Sequence, residues 1–499
     1  EIVFGDWSSD VCSSDLAFSV ESVTKKFFDD YRKVFFDDLR DSIIKKGFST
    51  KEAHEFSLQF LNRIMFIYFI SKKRWLKQQK FIKWLWDSYK SENCLGTDTF
   101  YEKWLSQVFF KAFNNQQDEI DGLPDDVTKI LAKTPYLNGG LFAEKEIDKL
   151  DIKVTDDVFK QVLGFFERYN FTIREDMPLD EEVAVDPQMI GYVYESLANV
   201  AEEIYDRKDL GIFYTPRIEV DFMCRRSLVG SLINQLPDVS KEALYHFVFD
   251  SPDDKDKINY INKYPEIWLR IEKVLDELSI VDPACGSGAF LVGMLSVFTE
   301  LYQIVYSHLN TKRSPFDIKY GIIQRSLYGV DVMPWAVRAA ELRLWLQLVV
   351  DTEISAEDLR KGPLLPNLNL KLRVGDSMVQ EIGGISFNIR TKGIDESIRR
   401  DLEILKNEKN KFFEGARTAK YRVAKEFCRV ETKIFLDIIE SSVKRIEKEI
   451  KKAELNLDSP TKQTDLFGKT ITKEQQIHFK EGKSKKEIED EIKDRKSVV

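Results

Sequence analysis

A chain of 499 residues with 75 Lys+Arg against 84 Asp+Glu carries a formal charge of −9. That balance excludes a small, wholly basic nucleic-acid binder, but not a large protein with a local basic groove. Hydrophobic residues make up 43% and charged residues 32%, a globular composition, and at ~150 residues per domain the length suggests about three domains. The longest uninterrupted apolar run, Ile64 to Ile70, is seven residues against the ~20 of a membrane-spanning helix. No membrane partner is therefore expected, and no basic-then-apolar leader opens the chain. Five cysteines (12, 94, 224, 285 and 428) lie far apart without a CxxC, beside only four histidines. This disfavours a zinc centre or a disulfide frame and suggests a reducing, cytoplasmic setting.

In chain order, residues 1–16 contain a near-tandem SSDVC/SSDL and read as a non-native or disordered tail, as does the closing RKSVV. Residues 17–180 form a helical N-terminal domain in which aromatics interleave with Lys and Arg. Phe60, Leu61, Ile64, Met65 and Tyr68 fall at helical spacing, the pattern of a core stripe more than of a base-stacking platform. YLNGGLF (136–142) reads as a Gly-Gly turn between helices. Residues 181–390 switch to short apolar runs, Gly turns and amphipathic helices, an α/β texture. Residues 391–457 are a charged helical insertion. Leu436, Ile439, Val443, Ile446, Ile450 and Leu457 run there in 3-4-3-4-7 steps, the seam of a packed helical hairpin or of a coiled-coil partner surface. Residues 458–499 are a polar linker and a truncated end.

The chemistry concentrates between 186 and 378. In LSIVDPACGSGAFLVGML (278–295), a short buried strand meets a helix through Asp282-Pro283-Ala284-Cys285-Gly286-Ser287-Gly288. The two glycines permit positive φ and remove side chains where a ligand approaches the backbone. That suits a nucleotide-type cofactor at the carboxyl end of a parallel strand. The string is not GxGxxG and no Lys-Ser/Thr follows, so a phosphate cradle is disfavoured. The acid at the strand end suits a cationic ligand. Upstream, GIFYTP (211–216) precedes an amphipathic helix from about 217 to 229. Downstream, SLYGVDVMPWAVRAAELRLWL (326–346) is a strand ending at Asp331, then a helix. Asp331 is placed either to accept from ribose hydroxyls or to cap that helix. It lies 43 residues after Gly288, beyond the ~20 of a dinucleotide fold, so an inserted helical stretch is expected near 300–325. LKLRVGDSM (370–378) alternates into a strand ending at Asp376, a position also compatible with plain turn chemistry.

DPACGSGAFL resembles the cofactor motif of S-adenosylmethionine-dependent N6-adenine DNA methyltransferases. The resemblance implies that Asp282 approaches the methionine amino group while Pro283, Ala284, Gly286 and Gly288 pass the backbone beneath S-adenosyl-L-methionine. Tyr214, Thr215 and Pro216 would shape the methionine-end pocket, Asp331 with Val332 would meet the ribose, and Asp376 or Ser377 the adenine ring. The motif order is that of the gamma arrangement. DPQMIGYVYESL (186–197), YLNGGLF and LNRIMFIYF (61–69) are similar to the helical region of large type IIG restriction–modification and BREX-type phage-defence methyltransferases. The implied fold is α/β, a class I methyltransferase doubly wound, mainly parallel sheet preceded by an α-helical domain and followed by a helical insertion. The implied partners are double-stranded DNA and subunits of a defence system.

Amino-methylation needs a loop, (Asn/Asp/Ser)-Pro-Pro-(Tyr/Phe) in that family, whose polar groups accept both N–H bonds and whose aromatic stacks the flipped base. None of the fourteen prolines is adjacent to another, and Ser314-Pro315-Phe316 is the nearest string. The loop and the target-recognition domain are expected beyond residue 499, so the fragment should be inactive alone. Glu-x-Lys strings at Glu431–Lys433, Glu449–Lys451 and Glu491–Lys493 sit in charged helical sequence and do not read as a nuclease centre. Lys72–Arg74 and Arg225–Arg226 are either solvated faces or phosphate contacts. Two alternatives stay open: a class I methyltransferase acting on RNA or on protein amide nitrogen, and a noncatalytic DNA-binding or scaffold subunit.

Overall fold

The computed structural model describes residues 26–171, 215–250, 264–351, 368–386 and 395–458, short gaps within them aside. They fall into two compact units, Glu1–Asp376 and Ser377–Val499.

The first unit opens with helices around α1 (Thr50–Lys72). A capping box starts it: Ser49 Oγ accepts from Glu52 N, and Glu52 Oε2 accepts from Ser49 N at 3.0 Å. Such reciprocal capping satisfies helix-end donors that would otherwise need water. From Phe56 to Ile67 every side chain is buried, so α1 is a core helix wrapped on all sides. The stripe expected to be core is core, and Tyr68 Oη donates to Glu167 Oε1 at 2.9 Å. Arg63 lies in the middle of this helix. Its Nη1 and Nη2 donate to the two Asp148 carboxylate oxygens at 2.7 and 2.8 Å, and its Nε donates to the Leu141 carbonyl at 2.8 Å. Leu141 and Phe142 close the YLNGGLF segment, and Phe142 packs on Phe66 and Phe113 at 6.0 and 5.0 Å between ring centroids. The Gly139-Gly140 turn lies outside the described residues.

The same unit carries a sheet of β1 (Ile280–Asp282), β2 (Leu327–Asp331) and β3 (Leu372–Val374). The strands are parallel in the order β1-β2-β3, with Asp282 opposite Gly329 and Asp331 opposite Val374. Helices α2 (Arg217–Gln235) and α3 (Pro265–Glu277) precede β1; α4 (Ala289–His308), α5 (Pro315–Arg325) and α6 (Pro334–Asp351) separate the strands. A doubly wound sheet was expected; the described residues contain these three parallel strands with their crossover helices.

Helix α5 accounts for the long interval between Gly288 and Asp331. Its start also explains Ser314-Pro315-Phe316: Ser314 Oγ accepts from Asp317 N at 3.1 Å and Pro315 takes the first turn, ordinary helix-entry chemistry. β3 ends at Val374, two residues before Asp376, and Gly375 N makes the last ladder bond, to the Asp331 carbonyl at 2.9 Å. Helix α4 is long and apolar enough to span a membrane, yet 61% of its apolar window is buried inside the unit. It is the core helix, packed on α2, α3, α5 and α6. Residues 339–349 of α6 are buried without a break, since the helix packs on β2 and β3 and also on α1.

In the second unit, β4 (Glu381–Ile382) and β5 (Ile385–Ser386) form an antiparallel pair. Helices α7 (Glu396–Phe413) and α8 (Ala424–Asp458) pack on each other, the hairpin form of the two expected. The seam is shifted from its expected register. Phe427, Ile434, Ile438 and Ile450 are buried, whereas Leu436 is 57% exposed. α7 is itself amphipathic and half-covers Ile439, Val443 and Ile446, so the heptad count marked the right face but misjudged its centre. Glu431, one of the Glu-x-Lys carboxylates, pairs with Lys409 across this hairpin.

Candidate functional site

Because β1 to β3 are parallel, their carboxyl ends share one edge, where ligands of open α/β sheets bind. The turn after β1 is built there. Pro283 and Ala284 are exposed, and Cys285 is buried with its N–H donated to the Val330 carbonyl at 2.9 Å. Burial, reinforced by the charges of Asp282 and Asp331, pushes the Cys285 thiol up to about 12, so it is a protonated packing group rather than a nucleophile.

The two glycines do different work. Gly286 has φ +51°, and a side chain there would point into open space. Gly288 has φ +83°, and a Cβ there would lie 2.8 Å from the Ala340 Cβ of α6. Gly286 therefore supplies the backbone freedom of the turn beside open space, while Gly288 also lets a helix close against it.

The acids converge on this turn. Asp331 Oδ2 accepts from Gly286 N at 2.8 Å, and its Oδ1 accepts from Met333 N at 2.9 Å. It thus ties the glycine turn to the residue that leads into α6; the bond to Met333 N is a local turn ahead of the helix rather than an N-cap, because Met333 itself holds the capping position. Asp282 differs. Its Oδ1 accepts from Ala284 N at 3.2 Å, while Oδ2 is buried and meets no donor among the described residues. Burial raises the Asp282 pKa, the Ala284 N–H opposes that, and the Asp331 charge adds to it. A buried carboxylate oxygen without a partner is costly unless a ligand supplies the donor.

Asp376 is exposed and follows Gly375, which is bonded to Asp331; it stands at the same sheet edge. Ser377 is exposed and belongs to the second unit. Val332 is 47% exposed beside Asp331. Thr215 is half-buried just ahead of α2, whereas Tyr214, Pro216 and the segment 186–197 lie outside the described residues. A cleft of about 370 Å³ runs between α2 and β1, lined by Met223, Cys224, Leu228, Val281, Asp282 and Phe290.

Of the basic pair Arg225–Arg226, Arg225 is half-buried and tied to internal carboxylates, while Arg226 is exposed. Arg225 donates to Asp221 at 2.9 Å and to Glu300 at 2.5 Å, and Arg226 bonds Tyr245. Internal carboxylates thus occupy the charge of Arg225, whereas Arg226 meets a neutral hydroxyl. Sequence reasoning also passed over Arg343 and Ala340 of α6, both of which touch the glycine turn. The available signal was Arg343 itself, a lone cation in the apolar run Leu342 to Leu346, where a charge needs a specific partner.

Residues 258–377 match the sequence pattern of the MmeI DNA-methyltransferase domain. The chain is 28% identical over 418 residues to a protein of Methanocaldococcus jannaschii named as a type II restriction enzyme and methyltransferase; the match covers 77% of this chain and 34% of that protein. It is 22% identical over 290 residues to DNA methyltransferase A of Bacillus subtilis, covering 58% of this chain and 27% of the relative. The chain spans about a third of the length of these relatives. With the glycine turn, both acids and the parallel strands inside the matched segment, the chain carries an MmeI-type DNA-methyltransferase domain and is homologous to a type II restriction–methyltransferase and to a DNA methyltransferase.

Proposed function

We propose that this chain is the cofactor-binding part of an S-adenosylmethionine-dependent DNA methyltransferase that modifies adenine N6 in double-stranded DNA, within a restriction–modification or phage-defence system. The observation that carries the reading is the buried Oδ2 of Asp282 at the parallel-strand edge, which meets no donor among the described residues. It is an anionic acceptor waiting for a cationic donor, as the methionine ammonium of the cofactor is. When bound, S-adenosyl-L-methionine supplies an electrophilic methyl group. Asp282 would hold its ammonium end, the open side of Gly286 would admit it, and Asp331 and Asp376 would offer acceptors along the edge. The resemblance would add Tyr214, Thr215 and Pro216 at the methionine end, and Pro283, Ala284, Gly288 and Val332 beside the turn. No Pro-Pro string occurs in the chain, so the base-binding loop and the target-recognition part are proposed to come from sequence outside it.

Calorimetric titration of S-adenosylmethionine into the 499-residue chain tests this. Asp282→Ala and Asp331→Ala should each weaken binding by roughly 1–3 kcal/mol, the scale of a lost charged hydrogen bond. Asp331→Ala should also loosen the fold, because Gly286 N and Met333 N lose their acceptor. Asp282→Asn separates ligand binding from stability. Its pKa is raised by folding, so the folded chain holds that proton more tightly than the unfolded chain. The resulting stability is complete below the ordinary carboxylate range and is lost as pH rises through the raised value. At neutral pH the unliganded Asn variant should therefore melt no lower than wild type, yet bind the cofactor about tenfold or more weakly. Melting curves from pH 4 to 8, run beside the titration, check both arms. Equal affinity in the variant would remove Asp282 from the site.

A further inference from the structure

We propose that Arg343 is a positioning residue for the cofactor, holding the Gly286–Gly288 turn in its binding shape from behind. The proposal rests on the cofactor reading above and adds to it a residue outside every motif. Arg343 is 7% exposed in the middle of α6, flanked by Leu342, Leu344 and Trp345, none more than 1% exposed. A guanidinium in such surroundings is costly unless its donors are used, and Nη1 is the donor that meets the turn. Its Nη1 donates to the Ser287 carbonyl at 3.1 Å and stands 3.4 Å from Ser287 Oγ.

The neighbouring residues of the turn are held by the same β2–α6 arm. Gly286 N is bonded to Asp331, and Gly288 lies against Ala340. Three consecutive residues thus have three anchors, and Arg343 supplies the one that fixes the central peptide. A turn with φ of +51° and +83° on either side of Ser287 has wide conformational freedom when released, because glycine populates many regions. Anchoring it before the ligand arrives removes an ordering penalty from binding. The anchor itself is immobile, since α6 is also docked on α1 and Lys73 Nζ bonds the Val350 carbonyl near its end.

The test compares wild type, Arg343→Met, Arg343→Lys and Leu346→Ala in the whole chain. Leu346 is fully buried on the same helix and serves as a stability-matched control. Three quantities are measured: melting temperature, S-adenosylmethionine affinity, and amide hydrogen exchange of residues 285–288 without ligand. Arg343→Met should bind about tenfold more weakly, the scale of a lost charge-assisted hydrogen bond, and exchange faster at 285–288. Arg343→Lys should recover part of both, and Leu346→Ala should lose melting temperature but keep its affinity. Wild-type affinity in Arg343→Met, or an equal loss of affinity in Leu346→Ala, overturns the proposal. Should wild type itself bind no cofactor, the functional reading fails on its own. The exchange arm then decides for Arg343: unchanged rates at 285–288 overturn its hold on the turn, and faster rates support it.

Discussion

Gly288→Ala is expected to destabilise the chain by about 2–5 kcal/mol, read as a lower midpoint in urea unfolding. Two terms contribute. At φ +83° an L-residue takes up the left-handed region, which costs roughly 1–2 kcal/mol. The new methyl would also sit 2.8 Å from the Ala340 Cβ and 3.1 Å from its Cα, and relieving such overpacking costs roughly 1–3 kcal/mol. The backbone of α6 cannot retreat easily, because residues 339–349 are buried on every side. Gly286→Ala provides the contrast. It shares the positive φ but meets nothing within 4 Å, so only the conformational penalty of about 1–2 kcal/mol remains. The double variant Gly288→Ala/Ala340→Gly should recover the part due to the Ala340 Cβ, less about 1 kcal/mol for a glycine inside a helix, and leave the conformational part. Equal losses at Gly286 and Gly288 would mean that α6 yields, and that the tight approach is not a constraint.

Breaking the Arg63–Asp148 pair should be the other large loss, about 3–5 kcal/mol for Arg63→Met. Both side chains are 1% exposed at a separation of 2.7 Å, so removing the guanidinium strands a carboxylate where water cannot reach it. Gln59 Nε2 and the Lys145 backbone N still donate to Asp148, at 2.7 and 2.9 Å, and the Lys145 amine, which burial lowers to about 7, interacts with the Asp148 charge and would offset part of the loss. The Leu141 carbonyl loses its donor as well, and Phe110 loses a guanidinium centred 4.9 Å from its ring. Screening reaches buried pairs weakly, so the loss should persist in high salt. Chemical denaturation of Arg63→Met with and without added salt checks this. The double variant Arg63→Met/Asp148→Leu should regain part of the stability, since an apolar pair avoids the stranded charge. A loss that vanishes in salt would show instead that the pair is solvated.

These two sites show why the parts of this molecule differed in legibility. Local pattern disclosed the strand–turn–helix at 278–295, the strand ending at Asp331 and the helix needed between them, because period and turn chemistry act over neighbouring residues. The α7–α8 pairing was legible for the same reason, but its register was not: which of Leu436 and Ile438 is covered depends on where the partner helix lies. The arginines divide along the same line. Sequence offered Arg225 as a solvated face or a phosphate contact and passed over Arg63 and Arg343, yet all three make internal bonds to groups 56 to 85 residues away. The free oxygen of Asp282 and the clasp of Asp331 on Gly286 likewise span separate strands. Residue type and spacing identify a turn that can admit a ligand. Only the three-dimensional approach of β2 and α6 decides which of the nearby carboxylate oxygens are bonded within the fold and which meets no donor among the described residues, because pairing and desolvation depend on distance in space rather than on separation along the chain.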